Sequence, residues 1–184
     1  MNKICIYTTL ILLPLTGFCQ GSVLQNSFWG SAAFAARVNV STLYGIALKE
    51  SGMRWPDGSF RPWPWSLNVN KGKGRIKAGP KRYPSKSDAV KALKEMVTAG
   101  IRNVDVGLMQ VNLLWQGHRV HDDIDLLLEP AANIMVAALY LREIEASDTH
   151  KKVSDYHSPS DPVRGNHYAN HVKHYERIIN ATIR

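Results

Sequence analysis

The sequence predicts an α+β fold, mainly α, with a small β-hairpin or sheet beside the helices. Three observations predict it. Apolar residues recur at helical spacing in several separate segments. A Pro- and Gly-rich interval from Trp55 to Pro84 forbids a long helix yet contains one alternating run. With 45% apolar residues over 184 positions, the chain has enough for one real core and too few residues for two comfortable domains, and disorder is not the default expectation.

The first residues stand apart from that core. Lys3 precedes an apolar run from Ile4 to Leu15, and the short residues Gly17, Cys19 and Gly21 follow. This is the layout of a secretory signal peptide, too short for the roughly 20 residues of a membrane span. The expected division is residues 1–19 as signal peptide and 20–184 as folded domain, exported to the periplasm or cell envelope with no stable membrane span after processing. The two cysteines, Cys5 and Cys19, both fall in the leader, so neither a disulfide framework nor a thiolate metal site is expected.

In the mature chain, Phe28 to Arg37 is Ala-rich and helix-like. Ser41 is the expected N-cap of a second helix, Thr42 to Ser51, which Gly52 stops; its Leu43, Ile46 and Ala47 share one side. Trp65 to Val69 alternates like a strand and leads into the turn-like Asn70 to Gly74. Ser85 or Ser87 starts a helix to about Thr98, with Val90, Leu93 and Val97 inward and Gly100 at its end. Val104, Val106 and Leu108 alternate again. Pro130 fits the first turn of a helix to about Ala146, carrying Ile134, Ala137, Ala138, Leu141 and Ile144. A last helix is expected from about His167 to Ile183, with Tyr168, Val172, Tyr175 and Ile179 at helical spacing.

The formal charge of +8 suits a polyanionic partner without choosing among wall polymer, nucleic acid and lipid. Three segments narrow the choice. Glu50 lies in the last turn of its helix, where the negative end of the dipole and apolar neighbours raise a carboxyl pKa. An acid still protonated near neutrality is what glycosidic cleavage needs, although most helical glutamates are surface residues. Val106 to Asn112 holds Gly107, which permits close backbone approach, and Gln110, whose amide both donates and accepts hydrogen bonds as a sugar requires. The plainer reading is a turn with Met109 as core filler. Asp155-Tyr156-His157-Ser158-Pro159, followed by Gly165 and Tyr168, offers a tyrosine hydroxyl that could orient a carboxyl, or a loop with a half-buried tyrosine.

In this order the segments resemble the soluble lytic transglycosylase family of the lysozyme-like superfamily. Glu50-Ser51 is similar to the family's first motif, and Gly107-Leu108-Met109-Gln110 matches the second at all four positions. Glu129 to Ile134, followed by Leu139-Tyr140-Leu141, resembles the helix that comes next. The third motif departs: Asp155-Tyr156-His157 stands where the family has Ala-Tyr-Asn. A Trp-rich insertion, Arg61-Pro62-Trp63-Pro64-Trp65, resembles members attached to conjugation, pilus or secretion machineries, which are expected as partners.

The resemblance implies a lysozyme-like domain that cuts peptidoglycan glycan strands with one catalytic acid and no cofactor. Glu50 would protonate the oxygen between N-acetylmuramic acid and N-acetylglucosamine, then take the proton of the C6 hydroxyl as it attacks, leaving a 1,6-anhydro sugar. Tyr156 would orient Glu50; Ser51, Gly107, Met109, Gln110, His157 and Trp65 would position substrate, with Trp63 and Trp115 as further stacking surfaces. Asp57 and Asp105 are expected to be structural. His167 and His171 lie one turn apart but lack the glutamate of a zinc-protease pattern, so no metal is expected. Two alternatives stay open on the same residues: a lysozyme-type hydrolase, and a non-catalytic wall-binding protein. Nucleic acid is not expected as a partner, the Lys71 to Arg82 run reading as a solvated loop.

Overall fold

The computed structural model describes residues 24–121 and 123–182, and the expected signal peptide with both cysteines lies outside them. Ser27 accepts the Trp29 N–H and opens α1 (Phe28–Ala36), an Ala-rich helix whose Ala32, Ala33 and Ala36 are buried. α2 (Val40–Ser51) starts two residues earlier than expected. Asn39 holds the N-cap position, and the predicted cap Ser41 is instead a buried helical residue. Gly52 ends α2 in extended backbone and passes directly into a strand.

The Pro- and Gly-rich interval folds as short strands. β1 (Gly52–Arg54) pairs antiparallel with β2 (Phe60–Pro62), a small sheet the sequence reading did not anticipate. β3 (Ser66–Val69), β4 (Gly79–Arg82), β5 (Val104–Val106) and β6 (Val111–Asn112) form an antiparallel sheet in the order β4-β3-β5-β6. Its register puts Leu67 opposite Val106 and Val69 opposite Val104 on the core face. Asn68, Asp105 and Asn112 therefore share the other face. Leu108, read as the end of an alternating run, lies beyond β5 in a turn.

α3 (Lys86–Thr98) is capped by Ser85, as expected, but its buried residues are Ala89, Leu93 and Met96, with Val90 and Val97 only half-buried. A four-residue helix α4 (Leu113–Gln116) and two 3-10 turns (Gly117–Val120 and Ile124–Leu128) follow the sheet. α5 (Pro130–Glu143) has Pro130 in its first turn and stops three residues short of the expected end. α6 (Thr149–His157) makes a helix of the segment expected as a loop, and Asp148 caps it by accepting the Lys151 N–H. α7 (Pro162–Thr182) begins five residues before the expected start, with Asp161 accepting the Arg164 N–H.

The helices wrap one core. α2 packs along α7, α6 lies against α7, and α1 crosses α5. Leu43, Ile46, Ala137, Leu141, Ala169 and Val172 meet in its interior. No helix among the described residues is long and apolar enough to cross a membrane.

Candidate active site

Glu50 sits one residue before the end of α2, and α7 packs beside it. Its side chain keeps 16% of its surface open. Burial is the main reason its pKa is raised from 4.5 to about 7, and the negative charge of Asp105 adds to the effect. A hydrogen bond from Tyr168 and the charge of Lys49 pull the other way. Near neutrality this is a carboxyl divided between acid and base forms, a condition suited to proton donation and recovery.

The hydroxyl that orients Glu50 comes from Tyr168, not from Tyr156. Tyr168 Oη donates to Glu50 Oε1 at 2.6 Å across 118 positions of sequence. Tyr156 Oη instead donates to the Met109 carbonyl at 2.9 Å. The reason is the placement of two helices: α7 packs along α2, while the last turn of α6 reaches the loop that contains Met109. His157 closes the other flank. Its ring stacks on Tyr168 with centroids 4.2 Å apart and planes 3° from parallel, and its Nδ1 lies 3.9 Å from Glu50 Oε1. Burial, then Arg164 and Lys49, lower the His157 pKa, so the ring is neutral at pH 7 and the contact is not an ion pair.

Gly107 to Gln110 form the four-residue loop between β5 and β6. Backbone φ is positive at both ends, +80° at Gly107 and 47° at Gln110. A Cβ at Gly107 would lie 2.5 Å from Asn133 Nδ2 and 2.7 Å from the Leu127 carbonyl, so only glycine fits. Several of the loop's backbone groups have partners. Gly107 N–H donates to Ser66 O at 2.8 Å. Ser51 Oγ donates to Leu108 O at 2.7 Å, and Asn133 Oδ1 accepts Met109 N–H at 2.8 Å. Asn133 Nδ2 also donates to Val106 O and Leu127 O, at 2.8 and 2.9 Å. A single buried asparagine thus joins α5, the end of β5 and the loop.

These bonds change the roles expected of several residues. Ser51 and Met109 are 1% and 0% exposed, and Gly107 is buried, so none of the three is open to a substrate. They hold the loop against α2. Gln110 is half-buried, with its Nε2 given to Gly107 O at 2.9 Å, so the donor expected for a sugar is engaged within the loop. Trp65 is half-buried and edge-to-face with Trp63 at 5.4 Å, which meets Trp55 at 4.8 Å. Trp63 donates its indole N–H to Tyr83 O at 2.9 Å. Trp115 is 67% exposed on α4.

Asp105 emerges from the structure as a member of the site. Its carboxylate accepts Asn68 Nδ2 at 3.0 Å, Asn70 Nδ2 at 2.9 Å and Asn112 Nδ2 at 2.7 Å. Its charge acts on Glu50, Tyr156 and His157. The alternation of β3 and β5 could have placed Asn68 and Asp105 on one face; the pairing of those strands was not readable. Asp57, in contrast, is tied to Ser59 and Arg61 on the exposed β1–β2 turn. His167 and His171 have rings 4.7 Å apart on the exposed face of α7. Among the described residues no group of three or more His, Cys, Asp or Glu could hold a metal ion. A shallow depression over α3, lined by Val90, Lys91 and Lys94 among others, includes none of the site residues.

Comparison with family models, with curated proteins and with solved structures found no match to this chain.

Proposed function

We propose that the chain is a peptidoglycan lytic transglycosylase that cleaves the β-1,4 bond between N-acetylmuramic acid and N-acetylglucosamine and leaves a 1,6-anhydro end. The observation that carries this reading is Glu50, a carboxyl with a pKa of about 7 that Tyr168 holds through a 2.6 Å hydrogen bond. The resemblance of Glu50-Ser51 and Gly107 to Gln110 to the family's first two motifs supports it, and so does their joining by the Ser51–Leu108 bond. A helix ending in an acid, packed beside a small antiparallel sheet, supports the reading of the domain as lysozyme-like.

In the proposed reaction protonated Glu50 gives its proton to the glycosidic oxygen as the bond from that oxygen to the anomeric carbon breaks. The substrate's acetamido oxygen stabilises the cationic carbon. Glu50, now a carboxylate, takes the C6 hydroxyl proton while O6 bonds to the same carbon. The acid is restored and no water is consumed. Tyr168 fixes the carboxyl through both steps, and neutral His157 adds no positive charge that would draw the proton off Glu50. The Trp-rich insertion and the signal-like leader support a place in the envelope, with local opening of the wall for a spanning machinery.

A second reading, hydrolysis, is favoured by Asp105. A carboxylate fixed by three amide donors, whose charge acts on a carboxyl of raised pKa, supplies the second acidic group that hydrolytic glycosidases use. Mass spectrometry of soluble products from purified peptidoglycan separates the two. Anhydro-muropeptides from the wild type, reduced at least about a thousandfold in Glu50→Gln, are expected. Reducing-end products would establish the hydrolase, and equal activity of both proteins would remove Glu50 from the chemistry.

A further inference from the structure

Eight Lys and Arg and no Asp or Glu fall between Gly58 and Ser87. Outside that interval the chain has fifteen Lys and Arg against fifteen Asp and Glu, so the whole formal charge of +8 resides in one segment. The structure shows where it is presented. Arg61 pairs with Asp57 and Lys86 with Glu129 at the two ends of the segment. Arg82 is turned toward the Gly52 carbonyl at 3.4 Å. Lys71, Lys73, Arg75 and Lys77 lie on the connection between β3 and β4; all four are exposed and none is in an ion pair among the described residues.

This connection is built rather than merely solvated. Lys73 and Ile76 exchange backbone hydrogen bonds at 2.9 and 3.1 Å, and the Ile76 side chain packs against the core. Gly72 is pressed on the Ile76 carbonyl, where a Cβ would lie 2.6 Å away. Four exposed cations carried on one connection make a local positive field, which the fixed backbone keeps in one place on the surface. That field favours an external polyanion. The loop also grows from the strands of the site: β3 carries Asn68, hydrogen-bonded to Asp105, and β4 is tied through Arg82 to the residue after α2.

We propose that the β3–β4 connection is a docking arm for the peptide-branch carboxylates of the glycan polymer whose backbone is cut at Glu50. The proposal rests on the function given above for the identity of the polymer. A glycan chain lying along the Asn68–Asp105 face would bring its anionic branches over Lys71, Lys73, Arg75 and Lys77. The arm would thus recognise a branched, carboxylate-bearing wall and not a bare polysaccharide.

The test measures retention, not cutting. In the Glu50→Gln background, the fourfold variant K71Q/K73Q/R75Q/K77Q is compared with its parent on intact peptidoglycan, on strands stripped of peptides by an amidase, and on duplex DNA. Retention on intact wall should fall at least about tenfold and lose most of its salt dependence, since each cation that meets an anion releases counterions. Retention on stripped strands should be the same for both proteins, and the corresponding fourfold substitution to Lys and Arg of swapped identity should restore binding. Unchanged retention on intact wall, equal loss on stripped strands, or tighter binding of DNA than of wall at the same salt would each overturn the arm. Failure of the protein with Glu50 intact to release any product, with charge-dependent retention persisting, would instead defeat the enzymatic reading and leave the arm standing.

Discussion

At the scale of single residues, two tyrosines near one carboxyl have separable duties. Tyr168 donates to Glu50 and Tyr156 to the Met109 carbonyl. Tyr168→Phe removes a bond that favours ionised Glu50, so the acid should stay protonated to higher pH. A net bond of about 1 kcal/mol corresponds to an upward move of the alkaline limb of activity by roughly half a unit to one unit. Tyr156→Phe leaves the alkaline limb in place but strands a buried carbonyl, for a loss of about 1–2 kcal/mol in urea unfolding. An alkaline limb left unmoved in Tyr168→Phe would show that its hydroxyl does not act on the acid.

At the scale of elements, the loop from Gly107 to Gln110 depends on α5 through Asn133. Asn133→Ala leaves the Met109 N–H and the Val106 and Leu127 carbonyls without their side-chain partner, and should cost about 3 kcal/mol or more. Gly107→Ala should cost more than about 2 kcal/mol, from positive φ and from the Leu127 carbonyl that cannot move aside. Thermal denaturation checks both; a near-neutral result for either would mean the loop is not held as described. The elements themselves were legible where caps and stripes are strong, as at Ser85 and Pro130. α6 was missed because Thr149 to His157 offers little apolar periodicity beyond Val153 and Tyr156, although Asp148 was a readable cap. Glu50 and the loop were found from local sequence. Tyr168 was legible as an inward residue and as a member of the third segment, but its pairing with Glu50 was not, because its partner lies 118 positions away and a helical stripe says nothing of which helix it will meet. Ser51 looked like a ligand because position in a motif does not reveal that a side chain is buried, whereas the plainer reading of Met109, core filler, is the one its full burial agrees with.

At the scale of the whole molecule, the raised pKa of Glu50 is a statement about folding. Between 4.5 and about 7 the folded chain binds more proton than the unfolded one, so stability falls as pH rises through that window and levels off above it. Glu50→Gln cannot ionise and escapes the loss, while its amide oxygen can still accept from Tyr168. The variant should therefore be more stable than wild type at pH 8, by up to about 3 kcal/mol, and no more stable at pH 4. Calorimetry at the two pH values decides it; an equal difference at both would trace the effect to packing. The distance in sequence between Glu50 and Tyr168 has one more consequence, which concerns time. A chain made N-terminus first holds the acid long before it holds the hydroxyl, and α7, the last helix described, brings the two together. A nascent or truncated chain ending before residue 168 would carry Glu50 without its donor, so α7 is the element that closes this pair, late in synthesis.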